Sequence, residues 1–223
     1  MGKDHTSSQF DVELNDIRAR LLEMGGKVEL MIANSMKSLV ERDSALAGRT
    51  IASDREINAM EIEIDEKCLH ILARRQPAAR DLRFVTLVLK IVTDLERIGD
   101  QCASIARNAL ELNREAQLKP YIDLPLMADT VNNAVREALD AFVRGDAPTA
   151  VQVCRDDRIV DELNEQLQRE LLTFMMEDPA TIGRALRINS ISKYLERIAD
   201  HATNIAEMVI FMVDGKDIRH TIV

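Results

Sequence analysis

The stretch Leu95–Asp100 reads LERIGD and returns as LERIAD at Leu195–Asp200, with five of the six positions identical. Both copies lie in long segments whose apolar residues recur every three or four positions, which predicts amphipathic helices. On each helix the Glu and the Asp of the motif are one turn apart, and like charges at that spacing repel by about 0.2–0.5 kcal/mol. A repulsive pair that occurs twice indicates that a positive group lies between the carboxylates of each copy.

The repetition extends over most of the chain. The segment Asp54–Asn58 aligns with Asp157–Asp161, and Asp43 aligns with Asp146, both at an offset of 103 residues. Apolar spacing predicts three helices in each half, and helices joined by short connections pack antiparallel. We therefore predict an all-α fold of two tandem, pseudo-repeated three-helix bundles, each up-down-up, with six long antiparallel helices in total. The predicted units are residues 1–118 and 119–223.

The expected helix ends follow from apolar spacing, prolines and glycines. The first helix is expected from about Phe10 to Ala47, with a bend or a close contact at Gly25-Gly26. The other expected helices are Asp54–Gln76, Ala79–Asn113, one that contains the apolar row from Val131 to Phe142 and closes at Gly145, one from about Ala147 that ends before Pro179, and one that ends at Val213 with Gly215 as its C-terminal cap.

Composition narrows the functional classes. Aromatic residues make up only 3 % of the chain and hydrophobic residues 46 %, as expected of a helix bundle with an aliphatic core. A net charge of −9 argues against direct nucleic-acid binding, which needs a basic face. No apolar run is long enough for a membrane span and no signal peptide is visible, so we expect a cytoplasmic protein without membrane insertion. The odd number and wide spacing of Cys68, Cys102 and Cys154 agree with a reducing compartment.

The second and fifth helices carry further acids beside their apolar stripes. If each of these helices packs against the motif helix of its own half, its acids complete a cluster with the motif carboxylates. Carboxylate oxygens suit hard divalent or trivalent cations, so we expect a metal such as iron, zinc, manganese or magnesium. The candidate ligands are Glu61, Asp65, Glu96 and Asp100 in the first half and Asp161, Glu196 and Asp200 in the second.

Basic side chains of the protein itself are the alternative partners for these acids. Lys193 lies three residues before Glu196, and Arg97, Arg107 and Arg197 are also near the motifs. A carboxylate that is partly buried needs a partner, because desolvating an unpaired charge is costly. An arginine or a lysine satisfies that need as well as a metal does, so the spacing leaves both partners open.

An enzyme of the ferritin-like di-metal class would need Glu-x-x-His on paired helices. His5, His70, His201 and His220 cannot supply that set, and Asp217-x-x-His220 lies in a tail beyond a glycine. No P-loop, Rossmann glycine pattern or nucleophile elbow is present. We therefore predict a binding or regulatory module and not an enzyme; the di-metal enzyme and a purely structural helical scaffold are the alternatives.

The second motif and the residues around it, Tyr194–Glu207, together with the tail Gly215–His220, resemble the PhoU family of bacterial phosphate-signalling regulators. The likeness covers the chain from about Phe10 to His220. It implies a negative regulator of the phosphate-starvation response that modulates phosphate uptake. It also implies a cytoplasmic adaptor that links the phosphate ABC transporter, through its nucleotide-binding subunit, to a sensor histidine kinase. A homodimer is expected, since the family is commonly dimeric.

The resemblance also implies metal binding, because some family members hold metal ions or iron clusters through two E(D)xxxD motifs. Here these motifs are Glu96/Asp100 and Glu196/Asp200. The two copies differ after the aspartate, where QCAS at residues 101–104 replaces HATN at residues 201–204. We therefore expect the two sites to differ in affinity.

Overall fold

The computed structural model of the chain describes residues 3–75, 77 and 79–215, with side chains from residue 9 onward except those of residues 79 and 80. Every regular element in these ranges is helical, which confirms the predicted all-α class. None of these helices combines the length and apolarity that crossing a membrane requires. The helices are α1 (Lys3–Val40), α2 (Ser44–Arg75), α3 (Ala79–Leu112), α4 (Asp123–Arg144), α5 (Ala147–Glu177) and α6 (Ile182–Asp214), with a 3₁₀ turn at Pro179–Thr181 before α6.

The first two helices meet earlier in the chain than the apolar spacing predicts. The predicted end of the first helix at Ala47 and the predicted start of the second at Asp54 are both wrong, since α1 ends at Val40 and α2 begins at Ser44. Arg42 has a left-handed backbone (φ 57°), which stops α1. The next residue, Asp43, accepts a hydrogen bond from the backbone N–H of Leu46 (2.9 Å) and so caps α2.

The second unit contains the same turn. Gly145 is left-handed (φ 67°) and closes α4, and Asp146 accepts from the backbone N–H of Thr149 at 3.2 Å. In both turns the Asp N–H also bonds back to the carbonyl five residues earlier, at 3.0 Å from Asp43 and 2.9 Å from Asp146. The turn is therefore duplicated together with the helices, with Arg42 in the place of Gly145. The predicted caps at Gly145 and Gly215 are confirmed.

The outer helices α2 and α5 each pack within their own unit. In the described part of the chain, α2 contacts α1 and α3, while α5 contacts α4, α6 and the 3₁₀ turn. The two units meet through α1 against α4 and through α3 against α6, and one continuous apolar core runs through both. Across the second of these contacts, Asp94 Oδ1 lies 2.8 Å from His201 Nδ1. These contacts confirm two tandem three-helix bundles joined along a seam.

The glycine pair in α1 marks a close contact. A Cβ atom added at Gly25 would lie 2.4 Å from Leu139 Cδ1 of α4, closer than carbon atoms approach one another, whereas one added at Gly26 would meet nothing within 4 Å. Gly25 therefore lets α1 approach α4 along the seam, and the expectation of a close contact in this pair is confirmed at Gly25.

Candidate metal centre

The first motif lies in a groove between α2 and α3. Leu95 and Ile98 of the motif are fully buried in the core, which leaves the motif acids at the edge of the helix interface. Gly99 brings the two helices together, since a Cβ added there would lie 3.3 Å from Ile57 Cγ2 of α2. The side chain of Glu96 is only 15 % exposed and that of Asp100 is 41 % exposed. The motif thus presents two partly buried carboxylates to α2.

Acids of α2 face these motif carboxylates. Burial raises the pKa of Glu96, and repulsion from Asp100, Glu61 and Asp54 raises it further. Burial also raises the pKa of Glu61, with repulsion from Asp65 and Asp100 adding to it. The pKa of Asp65 is raised by burial alone. The structure therefore brings Glu61 beside the motif acids and places Asp65 beside Glu61, toward the end of the groove.

The protein provides little positive charge in this first groove. Arg97 Nε lies 3.5 Å from Glu96 Oε2, and Arg97 Nη1 lies 4.0 Å from Asp100 Oδ2, but the Arg97 side chain is 57 % exposed. Three buried side-chain oxygens on α2 have no hydrogen-bond donor among the described residues: Asp54 Oδ1, Asn58 Oδ1 and Asp65 Oδ1. Buried oxygens normally have a partner, and a cation bound in this groove would supply one.

The second motif lies in the matching groove between α5 and α6. Burial, followed by repulsion from Asp161, Asp200 and Glu196, raises the pKa of Asp157 to about 6, against the effect of a hydrogen bond with Thr203. Burial and repulsion from Glu196 and Asp200 also raise the pKa of Asp161. The same two causes, burial and then Glu196, raise the pKa of Asp200. Four carboxylates therefore meet in this groove.

A lysine neutralises one of these four acids. Lys193 Nζ lies 2.7 Å and 3.1 Å from the two carboxylate oxygens of Glu196. The alternative partner expected from the sequence is thus present for Glu196. In the described ranges, Asp157, Asp161 and Asp200 have no basic group within 4.0 Å, although Lys193 lowers the pKa of both Asp161 and Asp200 at longer range. The position equivalent to Lys193 in the first motif is Thr93, so the first groove lacks this ammonium group.

The grooves offer oxygen donors but not a preformed chelate. Within the described ranges, no three His, Cys, Asp or Glu side chains are arranged to hold one metal ion as they stand. The carboxylates are spread along each groove, so coordination requires some of them to rotate. The donor set is made of hard oxygens, and three buried oxygens without donors, those of Asp54, Asn58 and Asp65, belong to the α2 side of the first groove. The residues present therefore suit a hard cation, and more so in the first groove.

Two acids of these grooves are absent from the ligands expected from the sequence. Asp54 in the first groove and Asp157 in the second interact with the motif acids; Asp54 lies two turns before Glu61 on α2, and Asp157 lies one turn before Asp161 on α5. The signal was their alignment at an offset of 103 residues. In the same alignment, each unit has an amide where the other has an acid: Asn58 aligns with Asp161, and Asn164 aligns with Glu61. Asn164 is buried and accepts a hydrogen bond from Ser192 Oγ at 2.9 Å.

The histidines do not join either groove in the described structure. His201 bonds to Asp94 across the seam, and His70 is exposed on α2. Asp217 and His220 lie outside the described residues, as does the side chain of His5. The arrangement thus supports cation binding by carboxylates and gives no histidine ligand for a ferritin-like centre among the described side chains.

Comparison with known proteins gives a match along almost the whole chain. The PhoU domain family matches twice, at residues 21–109 and 124–209. The phosphate-specific transport system accessory protein PhoU homolog of Pseudomonas putida is 48 % identical over 217 residues, covering 97 % of this chain and 85 % of that protein. The phosphate-specific transport system accessory protein PhoU of Escherichia coli (strain K12) is 39 % identical over 216 residues, covering 97 % of this chain and 90 % of that protein.

Solved structures match the fold as closely. The crystal structure of PhoU from Pseudomonas aeruginosa has a TM-score of 0.90 and 47 % identity, covering 93 % of this chain and 100 % of that one. The crystal structure of the phosphate transport system regulatory protein PhoU from Streptococcus pneumoniae has a TM-score of 0.87 and 30 % identity, covering 93 % and 98 %.

Proposed function

The chain belongs to the PhoU family, and from that premise we propose that it regulates phosphate transport and restrains the phosphate-starvation response when phosphate is plentiful. The observation that carries this proposal is the match over 97 % of the chain to relatives named as accessory proteins of phosphate-specific transport. In this role the protein is a cytoplasmic adaptor between the nucleotide-binding subunit of the phosphate ABC transporter and a sensor histidine kinase. Long rigid helices with an acidic surface suit a partner that carries basic patches.

The acidic grooves add a metal-binding part to the proposal. Glu96 and Asp100 with Glu61, Asp54 and Asp65 would hold a cation in the first groove, and Asp157, Asp161, Glu196 and Asp200 would do so in the second. A bound divalent or trivalent cation would supply the positive charge that these carboxylates lack. The protein's own contribution is to hold partly buried oxygens on two helices. Cation binding would therefore draw α2 toward α3 in the first groove and α5 toward α6 in the second.

Gene deletion tests the regulatory part. Deleting the gene in its host should leave a phosphate-starvation reporter expressed in phosphate-rich medium, and a plasmid copy of the wild-type gene should silence it. A Glu96→Gln/Glu196→Gln copy should fail to silence the reporter at equal protein level. A matched control is Glu41→Gln/Glu162→Gln, which removes two acids that are 57 % and 68 % exposed and are not among the groove acids. Normal repression in the deletion strain would refute the regulatory role.

Elemental analysis tests the metal part. Protein purified without chelator should carry iron, zinc, manganese or magnesium, and the Glu96→Gln/Glu196→Gln variant should carry less. The Glu41→Gln/Glu162→Gln control should match the wild type. Equal metal content in all three proteins would show that the grooves do not bind the metal. Oxygen consumption by the iron-loaded protein would instead favour the di-metal enzyme.

Self-association completes the proposal. Large apolar side chains are exposed where α5 ends and α6 begins, among them Leu172 (56 %) and Met176 (84 %). Exposed apolar residues support a contact surface for a second copy of the chain. Sedimentation equilibrium should show a homodimer. A Met176→Lys variant should dissociate more readily than wild type, whereas a monomer at all protein concentrations would rule out the dimer.

A further inference from the structure

A cleft lined by arginines opens at the seam between the two three-helix units. It lies at the end of the bundle where α1 passes the start of α3 and the ends of α4 and α6, and its volume is about 500 Å³. Arg18 lines it from α1, Arg83 from α3 and Arg144 from α4. Sites for metabolite-sized ligands commonly have volumes of about 300–1,000 Å³. No described residue of α2 or α5 lines this cleft, so it is separate from the acidic grooves.

The cleft is basic in a protein of net charge −9. The lining residues include three guanidinium groups and one carboxylate, that of Asp81, and Arg144 Nη2 also lies 3.4 Å from Asp140 Oδ2. Within the described ranges, neither Arg18 nor Arg83 has a carboxylate within 4.0 Å. Arg18 Nη1 donates to Asn15 Oδ1 at 2.9 Å, and Arg83 Nη1 donates to the carbonyl of Met212 at 3.1 Å. A guanidinium group has five N–H donors, so most donors of both arginines are available to a ligand.

Packing holds these two guanidinium groups in place. Arg18 Cζ lies 4.5 Å from the ring centroid of Phe84, and that ring stacks on Phe142 with the centroids 5.5 Å apart. Both rings are buried in the core, at 7 % and 2 % exposure. Arg83 Cζ lies 5.8 Å from the ring centroid of Phe211. Cation–π contacts of this kind reduce the side-chain entropy that ligand binding would otherwise cost.

We propose that this cleft binds a phosphate-bearing anion through Arg18 and Arg83, with Arg144 adding charge at the rim. The planar fork of arginine matches the oxygens of phosphate with two parallel hydrogen bonds. Val143, Met212 and Val213 supply an apolar wall beside the arginines. That wall, together with the volume, fits an organic phosphate such as a nucleotide better than a bare phosphate ion. This binding goes beyond the proposed function and does not depend on the acidic grooves.

Titration calorimetry with the full chain, in buffer free of divalent cations, tests the proposal with ATP and inorganic phosphate as separate probes. ATP should bind, and Arg18→Gln and Arg83→Gln should each weaken binding by about tenfold. Arg144→Gln, at an exposed side chain that leaves the core intact, should weaken it less. The control Arg158→Gln makes the same charge change at a side chain that is 82 % exposed on α5, and should leave the affinity unchanged.

The inorganic phosphate titration separates the two sources of a phosphoryl group. Equal affinity for phosphate and ATP, with the same dependence on Arg18 and Arg83, would identify the free ion as the ligand. Binding of ATP alone would identify an organic phosphate. Absence of binding of either probe to the folded wild type at about 5 mM would overturn the proposal. An equal loss of affinity in Arg158→Gln would overturn it too, because binding would then depend on net charge and not on the cleft.

Discussion

Lys193 places its ammonium nitrogen within 3.1 Å of both carboxylate oxygens of Glu196, whereas the equivalent position in the first unit is Thr93. The second groove thus contains an ammonium group bonded to a motif acid, whereas the first has only the exposed guanidinium group of Arg97, 3.5 Å from Glu96 and 4.0 Å from Asp100. A metal ion entering the second groove has to compete with this lysine. This difference between two otherwise matching grooves gives the expected inequality of the two sites a physical cause.

Exchanging the residues at these two positions should reverse the difference in metal affinity between the grooves. Lys193→Thr should tighten Mn²⁺ binding in the second groove by about threefold to tenfold, because an ion pair of roughly 1 kcal/mol no longer competes. Thr93→Lys should weaken binding in the first groove to a similar degree. Calorimetric titration of the chelator-treated protein measures both effects. Lys37→Thr, at a side chain 57 % exposed on α1, is the control, and unchanged affinities in both exchange variants would contradict the explanation.

Protonation of Asp157 should make the metal-free protein more stable in acid. Its pKa is about 6 in the folded protein against an ordinary 3.8, so the folded state binds this proton more tightly than the unfolded state does. The resulting stability is fully present below about pH 3.8 and is lost as the pH rises through about 6. At pH 7, Asp157→Asn should raise the free energy of unfolding by about 1 kcal/mol, a value reduced by solvent screening at a half-buried site.

Urea unfolding followed by circular dichroism from pH 4 to pH 8, in the presence of EDTA, measures this effect. The gain from Asp157→Asn should shrink toward zero near pH 4. Glu162→Gln, at a side chain 68 % exposed on the same helix, should show no comparable gain at pH 7. A gain from Asp157→Asn that is the same at every pH would show that ionisation of Asp157 in the groove is not its cause.

Substitutions at the glycine pair of α1 should have opposite effects. Gly26→Ala should stabilise the protein by about 0.5–1 kcal/mol, since alanine favours the helix and an added Cβ meets nothing within 4 Å. Gly25→Ala gains the same helix propensity but forces Leu139 to move, and overpacking in a core typically costs about 1–3 kcal/mol. Thermal unfolding of both variants measures the difference. Equal stability of the two would mean that Leu139 turns away from the added Cβ without cost.

The duplicated turn gives a further pair of variants. Gly145→Ala should cost about 1 kcal/mol, because a non-glycine residue is strained at φ 67° and the nearest side-chain atom is at an ordinary 3.8 Å. In the first unit, Arg42 donates to the carbonyls of Asn113 and Glu115, at 2.8 Å and 2.6 Å. Arg42→Ala and Arg42→Gly lose both bonds alike, but only the glycine relieves the backbone strain.

Chemical denaturation should therefore find Arg42→Gly more stable than Arg42→Ala by about 1 kcal/mol. Because these two variants lack the same hydrogen bonds, their difference isolates the cost of the left-handed backbone at this turn. If they were equally stable, residue 42 would not be left-handed in solution.

Much of this architecture can be predicted from the sequence because it depends on periodicity and duplication. The apolar rows through Leu95 and Leu195 place the motifs on long buried helices, and the repeat gives two units. The break at Arg42 could not be predicted in this way, since an arginine in a left-handed turn leaves the apolar spacing uninterrupted. The cap residue Asp43, aligned with Asp146, was the available signal.

The acidic grooves were predicted in part. The motif acids and Glu61 come together because α2 packs against α3, but which acids of a helix face the groove depends on the packing angle. Asp54 and Asp157 therefore became evident only in the structure. The arginine cleft was absent from the sequence analysis, because Arg18, Arg83 and Arg144 lie far apart in the chain and meet only where four helices pack at one end.

The confinement of α2 and α5 to their own units has a consequence for motion. Since neither outer helix contacts the described residues of the opposite unit, each can detach locally while α1, α3, α4 and α6 remain assembled. The mutually repelling carboxylates span the boundary along which such a detachment would occur, so their repulsion would favour opening of the outer helix of the same groove. The opening of α2 and the opening of α5 can therefore be changed independently within one chain. Amide hydrogen exchange along each helix would measure its opening separately.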